Sequence, residues 1–159
     1  VRFWPFGRRK EKLRIDPFTL TDPWRSFVQD AQQAQSRFAR IVESVEDGPL
    51  RERLRDIEAR VGEGVIACWR IAQSGHRLHK MVVQVADTDS ESVTRMRTRE
   101  VETRDKLAVL TKNLDESVAR AAELATGQLS GLNAVADDVN SVVSDLEALR
   151  QALAEISPN

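Results

Sequence analysis

Apolar residues recur three and four positions apart along most of this chain, the period of one helical face. Four stretches carry the pattern. Trp24, Phe27, Ala31, Ala34, Phe38, Ile41 and Val45 predict a first helix over 23–46. Asp22 suits its cap, where a carboxylate accepts a free backbone N–H, and Pro23 suits the first helical position. Asp47-Gly48-Pro49 ends that helix and starts a second over 49–86, on the series Leu50, Leu54, Ile57, Val61, Gly64, Cys68, Ile71, Gly75, Leu78, Val82, Val85. Gly64, Cys68 and Gly75 are small, so a neighbouring backbone or a large partner side chain should approach there. Val65, Trp69 and Ala72 add a second apolar row, which predicts burial on several sides. Trp69 therefore reads as a core aromatic.

The third helix is predicted over 90–126, after a turn at Asp87-Thr88-Asp89-Ser90. Thr88 and Glu91 have the spacing of a capping box. Residues 97–106, RTREVETRDK, carry seven charged residues and a single apolar one. The seam returns with Leu107, Thr111, Leu114, Val118, Ala121 and Ala125. GQLSG, residues 127–131, predicts a break. The fourth helix, 131–156, has the cleanest seam: Leu132, Val135, Val139, Val142, Leu146, Leu149, Leu153, Ile156. The third and fourth seams share one heptad phase, so the alternative is a single helix of about 65 residues, against which stand two glycines costing about 1 kcal/mol each.

The predicted fold class is all-α, a four-helix, coiled-coil-like antiparallel bundle. A hairpin turning at 87–89 sets 97–106 opposite 70–79. Helix 1 is long enough to cover about 50–72 of helix 2, and helix 4 about 104–128 of helix 3. Residues 75–103 should then protrude as a two-helix arm. Its tip holds Met81, Val82, Val83, Val85, Val93 and Met96, a candidate interaction tip.

The length of 159 residues fits one domain, with residues 1–21 as a flexible tail and 22–159 as the bundle. One cysteine excludes an internal disulfide and fits a reducing compartment. No apolar run approaches the length of a membrane span, and the basic start is followed by polar sequence, unlike a signal peptide. Val1 fits a GTG start codon read literally, as in a GC-rich bacterium. A cytoplasmic protein is expected, peripheral at most to the inner face of the plasma membrane.

Charge is divided. Residues 1–14 carry a net +5 and residues 15–159 a net −6. The acidic body does not favour nucleic acid, whose binding depends on basic residues at phosphates. The basic end, VRFWPFGRRKEKLR, also holds three of the eight aromatic residues. Phe3, Trp4 and Phe6 followed by Arg8, Arg9, Lys10 and Lys12 suit an anionic membrane surface, with rings in the headgroups and cations at the phosphates. They suit a peptide read by a protein partner as well. A merely solvated tail is the plainest account.

Candidate chemistry is sparse. His76 and His79 share a helical face and have the spacing to share a metal, with Glu100 and Glu102 on the facing helix as oxygen donors. The Glu-x-x-His pairs of di-iron bundles are missing, and two polar residues on a solvated arm is the favoured reading. Cys68, on the seam beside Trp69, reads as an inert small hydrophobe. No phosphate-binding glycine loop or nucleophile with a base stands in the sequence, so neither an enzyme nor a cofactor is expected.

DPFTLTDPWRSFVQDA, GPLRERL, GVIACWRIAQSGHRL and the late LEALRQAL resemble small helical proteins of unknown function from actinobacteria. The resemblance covers most of 16–155 and implies no activity. The architecture is similar in outline to peripheral membrane coiled-coil proteins such as the phage-shock family. The expected function is a non-enzymatic helical scaffold or interaction protein, recruited by its tail to a membrane or a partner and self-associating. The alternative is a ligand- or metal-responsive bundle built on the small residues at 64, 68 and 75.

Overall fold

The computed structural model describes residues 13–126 and 131–156. It is all-α: α1 spans Trp24–Ser44, α2 Pro49–Gln84, α3 Glu91–Leu124 and α4 Leu132–Ile156. These bounds lie within two residues of those the periodicity predicts. α3 and α4 are separate helices, so the fused alternative does not hold. Gly131 abuts the Leu124 side chain, bringing the two helix ends together.

Side-chain pairs define the directions. Trp24 of α1 covers Gly75 of α2, and Gln35 approaches Gly62, so the two run antiparallel. α4 runs parallel to α2: Arg53 reaches Asn133 at 3.4 Å and Arg60 reaches Asn140 at 3.1 Å, at one constant offset. Arg37 of α1 bonds Asp115 of α3 at 2.7 Å, and Arg120 of α3 bonds Asp138 of α4. α1 and α4 thus lie on opposite sides of the α2–α3 hairpin, each packed against both of its helices.

The core is the sum of the four seams. Trp24, Phe38, Leu54, Ile71, Leu107, Leu114, Leu132 and Leu146 are its largest fully buried side chains. In α1 the buried stripe includes Val28 and Val42, with Phe27, Ile41 and Val45 only partly covered. The stripe is rotated from the predicted one because α1 sits in the groove between two helices rather than on one. The small residues of α2 behave as expected. Gly75 leaves room for the Trp24 ring, and Gly64 for Val143 and Leu146 of α4. Thr103, Thr111 and Ser117 are buried on α3 and donate to carbonyls of their own helix, which satisfies their hydroxyls without a partner.

Beyond Gly75 and before Thr103, only Val82 and Val93 are buried. This is the two-helix arm, held by a seam one residue wide on each helix.

Three local expectations are corrected. The segment before α1 is not wholly tail: Pro17–Thr19 forms a 3₁₀ turn, Leu20 is buried, and Ile15 packs on the core. Asp16 caps that turn, its Oδ1 accepting the Phe18 N–H at 3.1 Å. Asp22, expected to cap α1, makes no such bond; its Oδ1 accepts the Ser26 hydroxyl at 2.9 Å. At the start of α3, Ser90 is the cap, accepting the Val93 N–H at 3.3 Å, and the Thr88–Glu91 box does not form. Ser90 stands directly before the first helical residue, where its hydroxyl reaches the third N–H.

Candidate interaction surface

Between α3 and α4, near the base of the arm, lies a groove of about 570 Å³. Val109, Leu110, Ala148, Leu149 and Ala152 line it, with Asp105, Lys106 and Asp145 at its rim. The spacing explains the chemistry. Asp145, Ala148 and Ala152 follow one another at three and four along α4, and Asp105 and Val109 do so on α3, so each helix turns one row toward the groove. Val109 is 56% exposed, although a β-branched apolar residue at a helix–helix boundary ordinarily buries its methyls. Leu149 is half-covered, and the two alanines let a further backbone approach closely.

A second depression runs between α1 and α3. The Arg37–Asp115 ion pair spans it and divides it into hollows of about 440 and 420 Å³. The larger holds Phe27, Asp30, Gln33 and Lys112. Loss of water around Asp30, and then the charge of Asp115, raise its carboxyl above the usual range, while Arg37 pulls it back. The hollow beside Phe27 is mixed in character, the other is lined largely by Ile41, Val118, Ala119 and Ala122, and the Arg37–Asp115 pair already bridges both.

The histidines are parted. His76 Nδ1 meets the segment before α1, 3.4 Å from the Thr21 nitrogen and 3.2 Å from its hydroxyl. His79 Nδ1 lies 2.6 Å from Glu100 Oε2 on α3. Glu100 thus faces His79 as its spacing suggests, but Glu102 is exposed. Among the described residues no three His, Cys, Asp or Glu side chains gather as a metal site. Burial lowers the His76 pKa, and Lys80, His79 and Arg77 add to the shift.

Cys68 is buried, its thiol pushed up to about 12 by loss of solvent and then by Asp30, and its S–H points to the Phe27 carbonyl oxygen at 3.7 Å. A thiol in that state neither attacks nor binds metal at neutral pH. Trp69 is buried, as the second apolar row predicts.

The tip residues divide. Val82 and Val93 are buried in the arm's own seam with Val85 and Met96 partly covered, so only Met81 and Val83 stay open, at 52% and 60% exposed. Phe3, Trp4, Phe6, Arg8, Arg9, Lys10 and Lys12 lie outside the described residues. No helix among the described residues is long and apolar enough to cross a membrane. The α3–α4 groove was not singled out by the sequence. Val109 falls outside the Leu107–Leu114 seam, and it becomes a pocket wall only because Ala148, Leu149 and Ala152 of α4 lie across from it.

No protein-family model, curated protein or solved structure matches the chain.

Proposed function

We propose that this chain is a non-enzymatic helical interaction protein whose bundle receives an amphipathic partner helix in the α3–α4 groove. The observation that carries the reading is an apolar groove with Val109 more than half exposed, beside Leu149 and two alanines. A third helix laid there would complete a local three-helix contact. The rim carries both signs: on α3 Asp105 lies 3.6 Å from Arg104 with Lys106 beside it, so Asp145 on α4 is the charge that favours a Lys or Arg flanking the partner's apolar stripe. Covering Val109 and the open part of Leu149 supplies about 2–4 kcal/mol before ordering costs, the scale of a modest, reversible contact.

The basic, aromatic stretch Phe3–Lys12 is the proposed recruitment element, holding the body at an anionic membrane surface. Three rings and a net +5 make a weak anchor on their own. A partner in the groove, or a second copy, would strengthen it by multivalency. A ligand-responsive bundle would need open space around Gly64, Cys68 and Gly75. That region is filled by Trp24, Val143 and Leu146, which favours the interaction reading.

Site-specific photo-crosslinking in source cells tests the proposal. A crosslinker at position 109 should capture one partner through a basic amphipathic helix, while one at Met81 should not. Removing residues 1–14 should lower the membrane-bound fraction and leave the crosslink. Crosslinks from 109 to this chain itself would make a second copy the occupant. Failure of 109 to crosslink anything would remove the groove from the account.

A further inference from the structure

The segment Leu13–Thr21 joins the basic, aromatic end to the bundle, and the structure fastens it at few points. Leu20 is buried, and its carbonyl oxygen accepts the Arg25 Nε–H at 3.0 Å. Phe18 is 71% exposed, with the Arg25 guanidinium 5.3 Å from its ring centre. Ile15 packs on the core, and among the described residues the hydrogen bonding of the segment to α2 is at His76, whose Nδ1 lies within reach of both the N–H and the hydroxyl of Thr21. A backbone N–H can only donate. It therefore bonds Nδ1 only while that nitrogen carries a lone pair, that is, in the neutral imidazole with its proton on Nε2.

We propose that His76 is a proton-sensitive latch: proton uptake at Nδ1 breaks the Thr21 N–H bond and loosens the segment 13–21 from α2. Protonation sets two N–H donors face to face, and only the Thr21 hydroxyl could turn to accept. Among the described residues no free carboxylate offsets the new charge. On α2 the neighbours are Arg77, His79 and Lys80, all basic or potentially so. On α3 the facing carboxylate, Glu100, is held by His79. Before α1, Asp16 is engaged with the Phe18 N–H and Asp22 with the Ser26 hydroxyl, while Arg25 adds a further cation.

The sign follows from burial and these cations. The folded chain holds the His76 proton less tightly than the unfolded one, so this contact weakens as pH falls below the ordinary histidine range. With that bond undone only the packing of Ile15 and Leu20 and the Arg25 bond hold the segment, and full release of its nine residues in extended form adds about 30 Å to the reach of the basic end. The latch thus couples acidification to how far that end extends, and it holds whether or not the groove has a partner.

NMR titration of the full chain from pH 8 to 5 tests it. Three signals are followed: the imidazole nitrogens of His76, the Thr21 amide and the Leu20 methyls. Leu146 methyls serve as a control for global unfolding. Nδ1 should be unprotonated at pH 8. Thr21 and Leu20 should then shift toward solvent-exposed values on the His76 midpoint, the open population growing by up to about tenfold per pH unit. His79→Gln should leave that transition in place, and His76→Gln should abolish its pH dependence. The proposal is overturned if Nδ1 carries the proton at pH 8. It is overturned too if Thr21 and Leu20 do not follow His76, or if they titrate unchanged in His76→Gln.

Discussion

Two glycines in α2 should answer the same substitution with opposite signs. A methyl at Gly75 would sit 2.4 Å from two ring carbons of Trp24, far inside van der Waals contact. The ring cannot yield easily. Trp24 is 1% exposed and stands edge-on to Phe27, with ring centres 6.0 Å apart. Overpacking of this kind costs about 1–3 kcal/mol, and the better helix propensity of alanine returns at most about 1. Because the clash is with a buried aromatic ring, Gly75→Ala should lose about 1–2 kcal/mol net, or about 2–8 °C in melting temperature. At Gly62 the nearest atom is Gln35 Nε2, 3.4 Å away at the end of a flexible side chain. Gly62→Ala should therefore gain up to about 1 kcal/mol.

The pairing is confirmed through Trp24. The Trp24 indole N–H has no hydrogen-bond partner among the described residues, so Trp24→Phe loses ring contacts but no hydrogen bond. It also removes the outer ring carbons that would meet the new methyl. In that background Gly75→Ala should become neutral or stabilising, giving a coupling energy of about 1–3 kcal/mol in a double-mutant cycle. Urea unfolding followed by circular dichroism measures all four proteins. If Gly75→Ala proves as stable as Gly62→Ala, or if its cost is unchanged by Trp24→Phe, the packing of α1 on α2 is wrong.

Leu146→Asp places an unpaired carboxylate in the fully buried centre of α4, and should cost several kcal/mol or unfold the chain; a melting point within a few degrees of wild type would contradict the core. Cys68 should resist iodoacetamide at pH 8 in the folded chain and react promptly in urea, because its thiol is buried with a pKa of about 12; rapid native alkylation would show α1 to be loosely packed. The Asp30 carboxyl is raised on folding, so the folded state binds its proton more tightly and this group gains stability as pH falls through its titration. Asp30→Asn should leave stability at pH 7 equal or slightly higher and flatten that part of the pH profile; a clear loss at pH 7 would mean the carboxylate has a favourable partner.

Most of the fold was legible because it rests on periodicity and on residue size. The seams of α2 and α4, the small residues under Trp24 and Val143, and the arm beyond Gly75 follow from which positions can be buried and how far α1 and α4 reach. Capping was misread where local chemistry offers equivalent choices. Asp16-Pro17 and Asp22-Pro23 carry the same signal, and burial of Leu20 and Trp24 decides which carboxylate meets a free N–H. Thr88 and Ser90 are likewise both hydroxyls before a helix. The segment 13–21 reads as tail because one buried leucine leaves no period to detect. The groove lay beyond sequence reasoning for a geometric reason: the exposure of Val109 depends on the gap between α3 and α4, and nothing in the spacing of one helix reports it.

The central claim is that the α3–α4 groove receives a basic amphipathic helix. Its most direct measurement is an NMR titration of the isotope-labelled chain with a synthetic amphipathic peptide of leucine and lysine. Saturable shifts are expected at Val109, Leu110, Ala148, Leu149 and Ala152, lost in Val109→Glu and absent with a scrambled peptide of the same charge. Shifts centred on the arm or on the α1–α3 cleft, or no saturation at this groove, would contradict the account.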